Sequence, residues 1–424
     1  MRTLISDIRT CLGEEVSVYG WVHRIRELGK ISFILLRDRS GMVQLVLSER
    51  PKFPVESVIA ASGSVAENEK APGGLEIQVK QIELIAAAAA DLPIPVNQDP
   101  EKLSLEAILE HRFISLRNPK ILAIFRLQSN ILKFFARHLR SESFTEIKSS
   151  KLIGTQTEGG TGLFTVDYFG SRVYLAQSPQ FYKQAMIASG LEKVFEIGHA
   201  YRAEKHETPR HLNEYVSLDV EMAFIESEQE LMDLEVRILS SIFKGLIKEN
   251  QAELETWKAA VPDPEGVDRI PRISHDEARE IISTSGKKKV FEINPEGERV
   301  LCEWALKQRG IEAVFVYGYP RKKRPFYTYP LDRRSTMSFD CLFRGLEITT
   351  GGRRISEYRM LMDSIDLFGL NPEGLDDYIQ IFKYGCPPHG GFAIGLERLT
   401  QKILGLANVK EAALFPRDRR RVRP

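Results

Sequence analysis

Gly390-Gly391-Phe392-Ala393-Ile394-Gly395-Leu396-Glu397-Arg398 reads as a glycine-lined strand handing over to a helix. Gly390, Gly391 and Gly395 remove side chains where a ligand must approach the backbone, and Arg398 brings a planar cation that stacks on a ring or binds phosphate. A motif this short is more often a structural turn with a surface ion pair. Two further segments ask for the same ligand.

The first is Tyr201-Arg202-Ala203-Glu204, followed by a charged loop with His206, Arg210 and His211 and then by Tyr215 to Met222. Alternation places Ser217, Asp219 and Glu221 on one strand face and Leu218, Val220 and Met222 on the other. The acidic face reads either as solvated or as part of a site. Strand, cationic loop and strand make a hairpin suited to clamping a polyphosphate. Zinc at His206 and His211 is disfavoured, because no cysteine is near and no third ligand has the spacing. The other segment runs from Phe339 to Arg354. Glu347 lies between Leu346 and Ile348, and strict alternation puts it on one face with Gly345 and Thr349. An acid in an apolar run must meet a cation, either nucleotide-bound Mg2+ or one of Arg344, Arg353 and Arg354.

Together these segments resemble the motifs of class II aminoacyl-tRNA synthetases, specifically aspartyl-tRNA synthetases of the compact archaeal and eukaryotic type. The resemblance covers nearly the whole chain. Tyr201 to Glu204 with Arg210 to Glu214 match the second signature, and Gly395 to Arg398 with Phe415-Pro416-Arg417-Asp418 match the third. Leu175 to Gln184 looks like the amino-acid pocket of the aspartyl enzymes, which ranks aspartate above asparagine or lysine. The resemblance implies an α+β fold: a five-stranded OB-fold β-barrel, then a class II catalytic domain built on an antiparallel sheet flanked by helices.

Composition agrees. A length of 424 residues allows two to three domains, and 59 basic against 58 acidic residues, net +1, give no global nucleic-acid signal. Scattered Cys11, Cys302, Cys341 and Cys386 fit free thiols in a reducing cytoplasm. No stretch reads as a bilayer span or a signal-peptide core, so a soluble cytoplasmic protein without a membrane partner is expected. Strands are predicted over 16–22, 31–38, 42–47, 57–65 and 75–85, with turns at Asp38 to Gly41 and Pro72 to Gly74. These give an anticodon-binding barrel over 1–90, a hinge over 91–125 and a catalytic domain over 126–424. Helices are predicted over 121–139 and after the capping box Ser227 to Glu230, with Leu231, Leu234, Ile238, Ile242 and Leu246 as core. Residues 253–319 read as a small helical excursion with its own capping box, Ser274 to Glu277. Arg321 to Arg324 read as a solvated loop that could meet RNA phosphates.

The resemblance implies two chemical steps. Aspartate and ATP give aspartyl-adenylate and pyrophosphate, and the aspartyl group then passes to the 3′ end of tRNA(Asp) and tRNA(Asn). Arg202 would bridge the α-phosphate and the attacking carboxylate, and Arg398 would hold the adenine side and the γ-phosphate. Glu204, Arg210, His211, Leu212 and Gly395 would shape the ATP site, and Glu347 and Thr350 would bind Mg2+. Lys183 and Arg354 match the clamp for the substrate's side-chain carboxylate. Glu158 and Asp219 match acidic positions around its ammonium, with Gln177, Ser178, Gln180, Arg202 and Thr350 as further aspartate-binding positions. In the barrel, Phe33 resembles the aromatic that stacks on the central anticodon base, with Gln44 and Glu76 at base edges. His23 and Pro72 look like residues of enzymes that accept both tRNAs. Ser150 stands where the family's first motif, the dimer segment in relatives, usually carries proline, and Thr350 stands where serine is commoner. A homodimer is implied. The alternatives are an aspartyl enzyme that charges tRNA(Asp) alone, an asparagine-forming paralogue, which usually lacks the barrel, and a catalytically silent RNA-binding protein.

Overall fold

Short apolar/polar alternations separated by turn residues begin the chain, and five of them close on one another. The computed structural model describes residues 1–154, 162–205, 207–286 and 292–423. β1 (Glu15–Leu28), β2 (Ile31–Arg37), β3 (Met42–Leu47), β4 (Val58–Glu67) and β5 (Leu75–Ala86) form a closed barrel in the order β1-β2-β3-β5-β4. Val18, Val22, Ile34, Leu36, Leu45, Ile59 and Ile77 fill it and are wholly buried. The expected turn after β2 forms because Asp38 Oδ1 accepts from the backbone N–H groups of Ser40 and Gly41. Two short helices, α1 (Leu105–Glu110) and α2 (Arg112–Ser115), occupy the segment read as a hinge. By contacts the chain divides into two compact units, Met1–Asn118 and Pro119–Pro424.

In the second unit α3 (Pro119–Ser141) leads into β6 (Thr145–Glu146), and β7 (Leu152–Ile153), β8 (Thr165–Tyr168) and β9 (Ser171–Leu175) make a small separate sheet. Ser150, the residue in place of proline, closes the turn between β6 and β7 by accepting from the Leu152 N–H at 3.3 Å. Next come α4 (Gln180–Met186), β10 (Lys193–Tyr201), β11 (Glu214–Ala223), α5 (Glu228–Glu249) and α6 (Gln251–Trp257). β12 (Arg272–Ser274), α7 (His275–Gly286), α8 (Pro295–Arg309) and β13 (Ala313–Tyr317) follow. The region read as a helical excursion therefore also contributes two strands, which extend one end of the main sheet. Apolar Ala313 to Val316 are fully enclosed there, and a strand buried on both faces shows no alternation to read. β14 (Ser338–Phe343), β15 (Leu346–Arg354), α9 (Tyr358–Leu367), α10 (Asp376–Lys383), β16 (His389–Gly395) and α11 (Leu396–Leu404) complete the unit.

The main sheet has eight strands in the order β12-β13-β14-β15-β16-β11-β10-β6, antiparallel except for the outermost pair at each end. α3, α5 and α11 cover one face. Leu127, Ile131, Ile238, Ile242, Leu399 and Ile403 meet Phe195, Val220, Phe339 and Phe392 in one core. The capping box at α5 forms as read, with Ser227 and Glu230 satisfying each other's backbone N–H groups. The opposite face carries the polar residues of the next subsection.

One acid is buried on the core side. Glu235 of α5 accepts from Thr349 Oγ1 at 2.6 Å, while its Oε2 has no hydrogen-bond partner among the described residues. Burial pushes its carboxyl up to about 8, against the Thr349 and Cys341 hydrogen bonds. The stability it lends is therefore complete below the ordinary carboxyl value of 4.5 and is lost as pH rises toward about 8. Thermal midpoints of the native chain should carry this one-proton decline, and those of Glu235→Gln, which keeps an acceptor for Thr349, should lack it. Matching profiles for the two proteins would count against a protonated Glu235.

Candidate active site

The β10–β11 hairpin, β15 and the β16–α11 junction converge on one pocket. Its lining includes Arg202, Glu204, Arg210, His211 and Leu212 from the hairpin loop, Glu347 and Thr350 from β15, and Gly395 and Arg398 from the junction. Nine residues read from three distant segments thus share one cavity. His206 and Glu158 lie outside the described residues.

Each cation has a local anchor. Arg202 follows β10, its N–H donates to Asn213 O at 2.8 Å, and its guanidinium lies over the Tyr215 ring at 5.7 Å. Arg398, in the first turn of α11, donates to Glu347 O at 2.9 Å and lies 3.4 Å from Glu347 Oε1. Arg210 donates to Glu298 of α8. Glu397, beside Arg398, accepts from the Val216 N–H with both oxygens at 3.1 Å, and its burial pushes the carboxyl up to about 7.

β15 departs from simple alternation. Cys341 pairs with Thr349 but Leu342 pairs with Glu347, so Ile348 is an extra residue, a β-bulge. The bulge corrects the reading that put Glu347 with Thr349. Thr349 turns into the core toward Glu235, and Glu347 shares its face with Thr350 and with Asp340 of β14, the residue opposite Thr350. Thr350 Oγ1 donates to Asp340 Oδ1. Arg324 Nη2 lies 2.8 Å from Asp340 Oδ1, and Arg324 Nη1 donates to Thr350 Oγ1 at 2.8 Å with its guanidinium stacked 3.8 Å from the Tyr319 ring centre. Arg324 is therefore no solvated loop residue: the ring and the acid hold it in. Sequence reading missed Asp340, although the signal was present. An acid between Phe339 and Cys341 lies as far before the Arg344-Gly345 turn as Thr350 lies beyond it, allowing for one bulge.

Desolvation, with the Asp340 charge beside it, pushes the Glu347 carboxyl above its ordinary range, against Arg398. Its side chain keeps 39% exposure, so solvent screens part of that push. Arg344, Arg353 and Arg354 do not take it. They engage Glu312, the Glu226 carbonyl and Glu221 respectively. Two crowded carboxylates and a hydroxyl are hard oxygen donors on one face, a set that suits Mg2+, which keeps waters and substrate oxygens in its shell.

Alongside, β11 brings Asp219 and Glu221 under the sheet, almost wholly buried, so the acidic face is not solvated. Lys183 of α4, 1% exposed, lies 2.9 Å from Asp219 Oδ1 and 3.3 Å from Glu221 Oε2. Arg354 Nε donates to Glu221 Oε1 at 3.1 Å, and its Nη2 donates to Gln180 Oε1 and Gly391 O. Gln177 is buried, and Ser178 Oγ accepts from the Gln180 N–H. Glu221 was read only as part of the acidic face, yet it couples both cations of the clamp. Two of the glycines also change meaning. A Cβ on Gly391 would sit 2.2 Å from Glu221 Oε2 and one on Gly390 would meet Ile225, so these pack against protein, whereas Gly395 borders the pocket.

In the first unit the register places Phe33, Gln44 and Glu76 on the outer face, with Gln44 opposite Glu76. Glu76 Oε2 accepts from Gln44 and Oε1 from Gln78, at 2.9 and 2.7 Å. Pro72 starts the turn just before β5 and is exposed. His23 is not brought to that face. It is the residue skipped at a β1 bulge, it is buried, and its Nδ1 lies 3.8 Å from Glu56 Oε1, too far for a hydrogen bond. Arg37 and Arg117 hold Glu56 from its other oxygen.

Comparison with known proteins identifies the family. Residues 104–419 match the family of class II tRNA synthetases (D, K and N), and residues 16–85 match the OB-fold nucleic acid binding domain. The aspartate–tRNA(Asp/Asn) ligase of Thermus thermophilus is 46% identical, with all of both chains covered. The aspartate–tRNA(Asp) ligase of Pyrococcus horikoshii is 42% identical over 97% of each chain. The crystal structure of asparaginyl-tRNA synthetase from Pyrococcus horikoshii with asparaginyl-adenylate superposes with a TM-score of 0.93 at 31% identity, covering all of both chains. Matched through its catalytic unit and along its full length, the chain belongs to the class II tRNA synthetases of the D, K and N group.

Proposed function

We propose that the protein is an aspartate–tRNA ligase, which activates L-aspartate with ATP and passes it to the 3′ end of tRNA(Asp) and tRNA(Asn). The buried alternation of charge Asp219–Lys183–Glu221–Arg354 beside a cation-lined pocket carries the reading. Lys183 and Arg354 meet the side-chain carboxylate of aspartate, and Asp219, with Glu158 by family resemblance, meets the ammonium. Asparagine's neutral amide would leave two buried cations poorly compensated, which favours aspartate. Relatives named as aspartate ligases at 46% and 42% identity support the same choice over the asparaginyl neighbour at 31%.

Neither step asks for a protein nucleophile. An α-carboxylate oxygen of aspartate attacks the α-phosphorus of ATP, the bond to the bridging oxygen breaks, and pyrophosphate leaves. A ribose hydroxyl of the tRNA then attacks the acyl carbon and AMP departs. The first barrier is charge repulsion between two anions, so the protein's task is to place them and offset their charge. Arg202 would bridge the carboxylate and the α-phosphate, while Arg398 and Arg210, which line the same pocket, would serve the rest of the nucleotide. Glu347, Asp340 and Thr350 would hold Mg2+, which neutralises polyphosphate charge when bound. Phe33, Gln44 and Glu76 offer a stacking ring and base-edge partners for an anticodon. His23 would act on tRNA choice through the β1 bulge, since it is buried. A cytoplasmic homodimer joined through the segment around Ser150, which carries β6, completes the proposal.

ATP–pyrophosphate exchange should appear with aspartate and not with asparagine or lysine; exchange with asparagine alone would overturn the substrate. Lys183→Met, which leaves Asp219 and Glu221 without a shared cation, should lower kcat/KM for aspartate at least a hundredfold, about 2.7 kcal/mol. Purified tRNA(Asn) should be aspartylated within about tenfold of the tRNA(Asp) rate, roughly 1.4 kcal/mol. Failure to charge it would restrict the enzyme to tRNA(Asp).

A further inference from the structure

We propose that Glu298 is a positioning residue of the ATP site, acting through Arg210 and Glu347; the inference rests on reading that pocket as the ATP site. Glu298 lies on α8, in the region to which sequence reading assigned no chemistry. It does not line the pocket. Its Oε2 accepts from the Arg210 guanidinium and also from the backbone N–H of Glu347 at 3.1 Å. One oxygen thereby ties the loop cation to the strand that carries Glu347 and Thr350.

The placement of that oxygen is over-determined. Asn294 caps α8 by accepting from the Gly297 N–H at 2.9 Å, and Pro295 opens the helix. Glu298 falls in the first turn of the same helix, next to that cap. The β14–β15 turn is pressed onto the same helix. At Gly345 (φ +74°) a Cβ would come within 2.7 Å of Arg299 Cγ. Arg210, by contrast, sits in a stretch between β10 and β11 without regular structure, held locally by its N–H to Thr208 Oγ1 at 3.2 Å. A long cationic side chain on such a loop reaches one place only if something fixed holds its end, and Glu298 supplies that hold. A glutamine could still accept from the Glu347 N–H but could not offset the guanidinium charge.

The test uses the full chain and compares Glu298→Gln, Glu298→Ala, Arg210→Ala and the double variant R210A/E298Q, by exchange kinetics and by equilibrium binding of MgATP. Glu298→Gln should weaken MgATP binding and raise KM for ATP about fivefold, with KM for aspartate and kcat within about twofold. Glu298→Ala, which also strips the acceptor from Glu347, should lower kcat as well. In the Arg210→Ala background the Gln change should add nothing, which a merely structural role would not produce. Unchanged MgATP binding in Glu298→Gln overturns the proposal, as do effects of the two single changes that multiply. If Glu298→Ala fails to fold, the isosteric Gln variant decides. Absence of exchange in the native chain with every amino acid, while MgATP binding still shows the Arg210–Glu298 coupling, would sink the ligase reading and leave this one standing.

Discussion

Four ionised side chains share one nearly dry space beneath the main sheet, and everything around them must keep them neutralised. Lys183, Asp219, Glu221 and Arg354 come from α4, β11 and β15, and each is buried. Removing such groups from water costs several kcal/mol apiece, repaid only when opposite charges sit at contact distance with their remaining hydrogen bonds filled. The register of β11 against β16, and of β16 against β15, is therefore fixed by charge as well as by apolar packing. A slip of one residue would turn Glu221 into the core and Val220 into the site. Gly391 belongs to the same constraint, because only a residue without a Cβ leaves room for the Glu221 carboxylate.

The phosphate side is built on a different principle. Arg210, Arg398 and Glu347 keep 23%, 28% and 39% side-chain exposure. Their charges are partly screened and their partners are few, which suits groups that must exchange protein contacts for those of a large anionic ligand. On the proposed reading the buried clamp takes a small acid and can be rigid, whereas the more open pocket admits and releases a polyphosphate. A single β-bulge at Ile348 links the two regimes, turning Thr349 toward Glu235 in the core and Thr350 toward Asp340 in the pocket.

Much of the fold was legible because its signals are local. The five barrel strands, the capping boxes at Ser227 and Ser274, and the helical spacing of Leu231 to Leu246 all act within a few residues, so a linear reading finds them. The strands β12 and β13 at one end of the main sheet were not legible. Val314 to Val316 are buried from both sides, and continuous burial erases the period that separates strand from helix. Residue types in the site could be named in advance, since arginines, acids and glycines in three motifs carry the resemblance. Their partners could not. Arg324 looked like a loop cation until Tyr319 and Asp340 enclosed it, and His23, read with Pro72 as a residue of enzymes that accept both tRNAs, is folded by a bulge against Glu56.

By itself the amino-acid order determined the class of chemistry and the elements that carry it, since motif residues and alternation are properties of neighbours along the chain. Only the tertiary structure decided which charges meet. Pairing is a matter of distance between segments far apart along the chain, 133 residues for Glu221 and Arg354, and a single inserted residue in β15 is enough to exchange the inner and outer faces of a strand. Asp340 facing Thr350, Glu221 between two cations and Glu298 behind Arg210 are all consequences of that geometry.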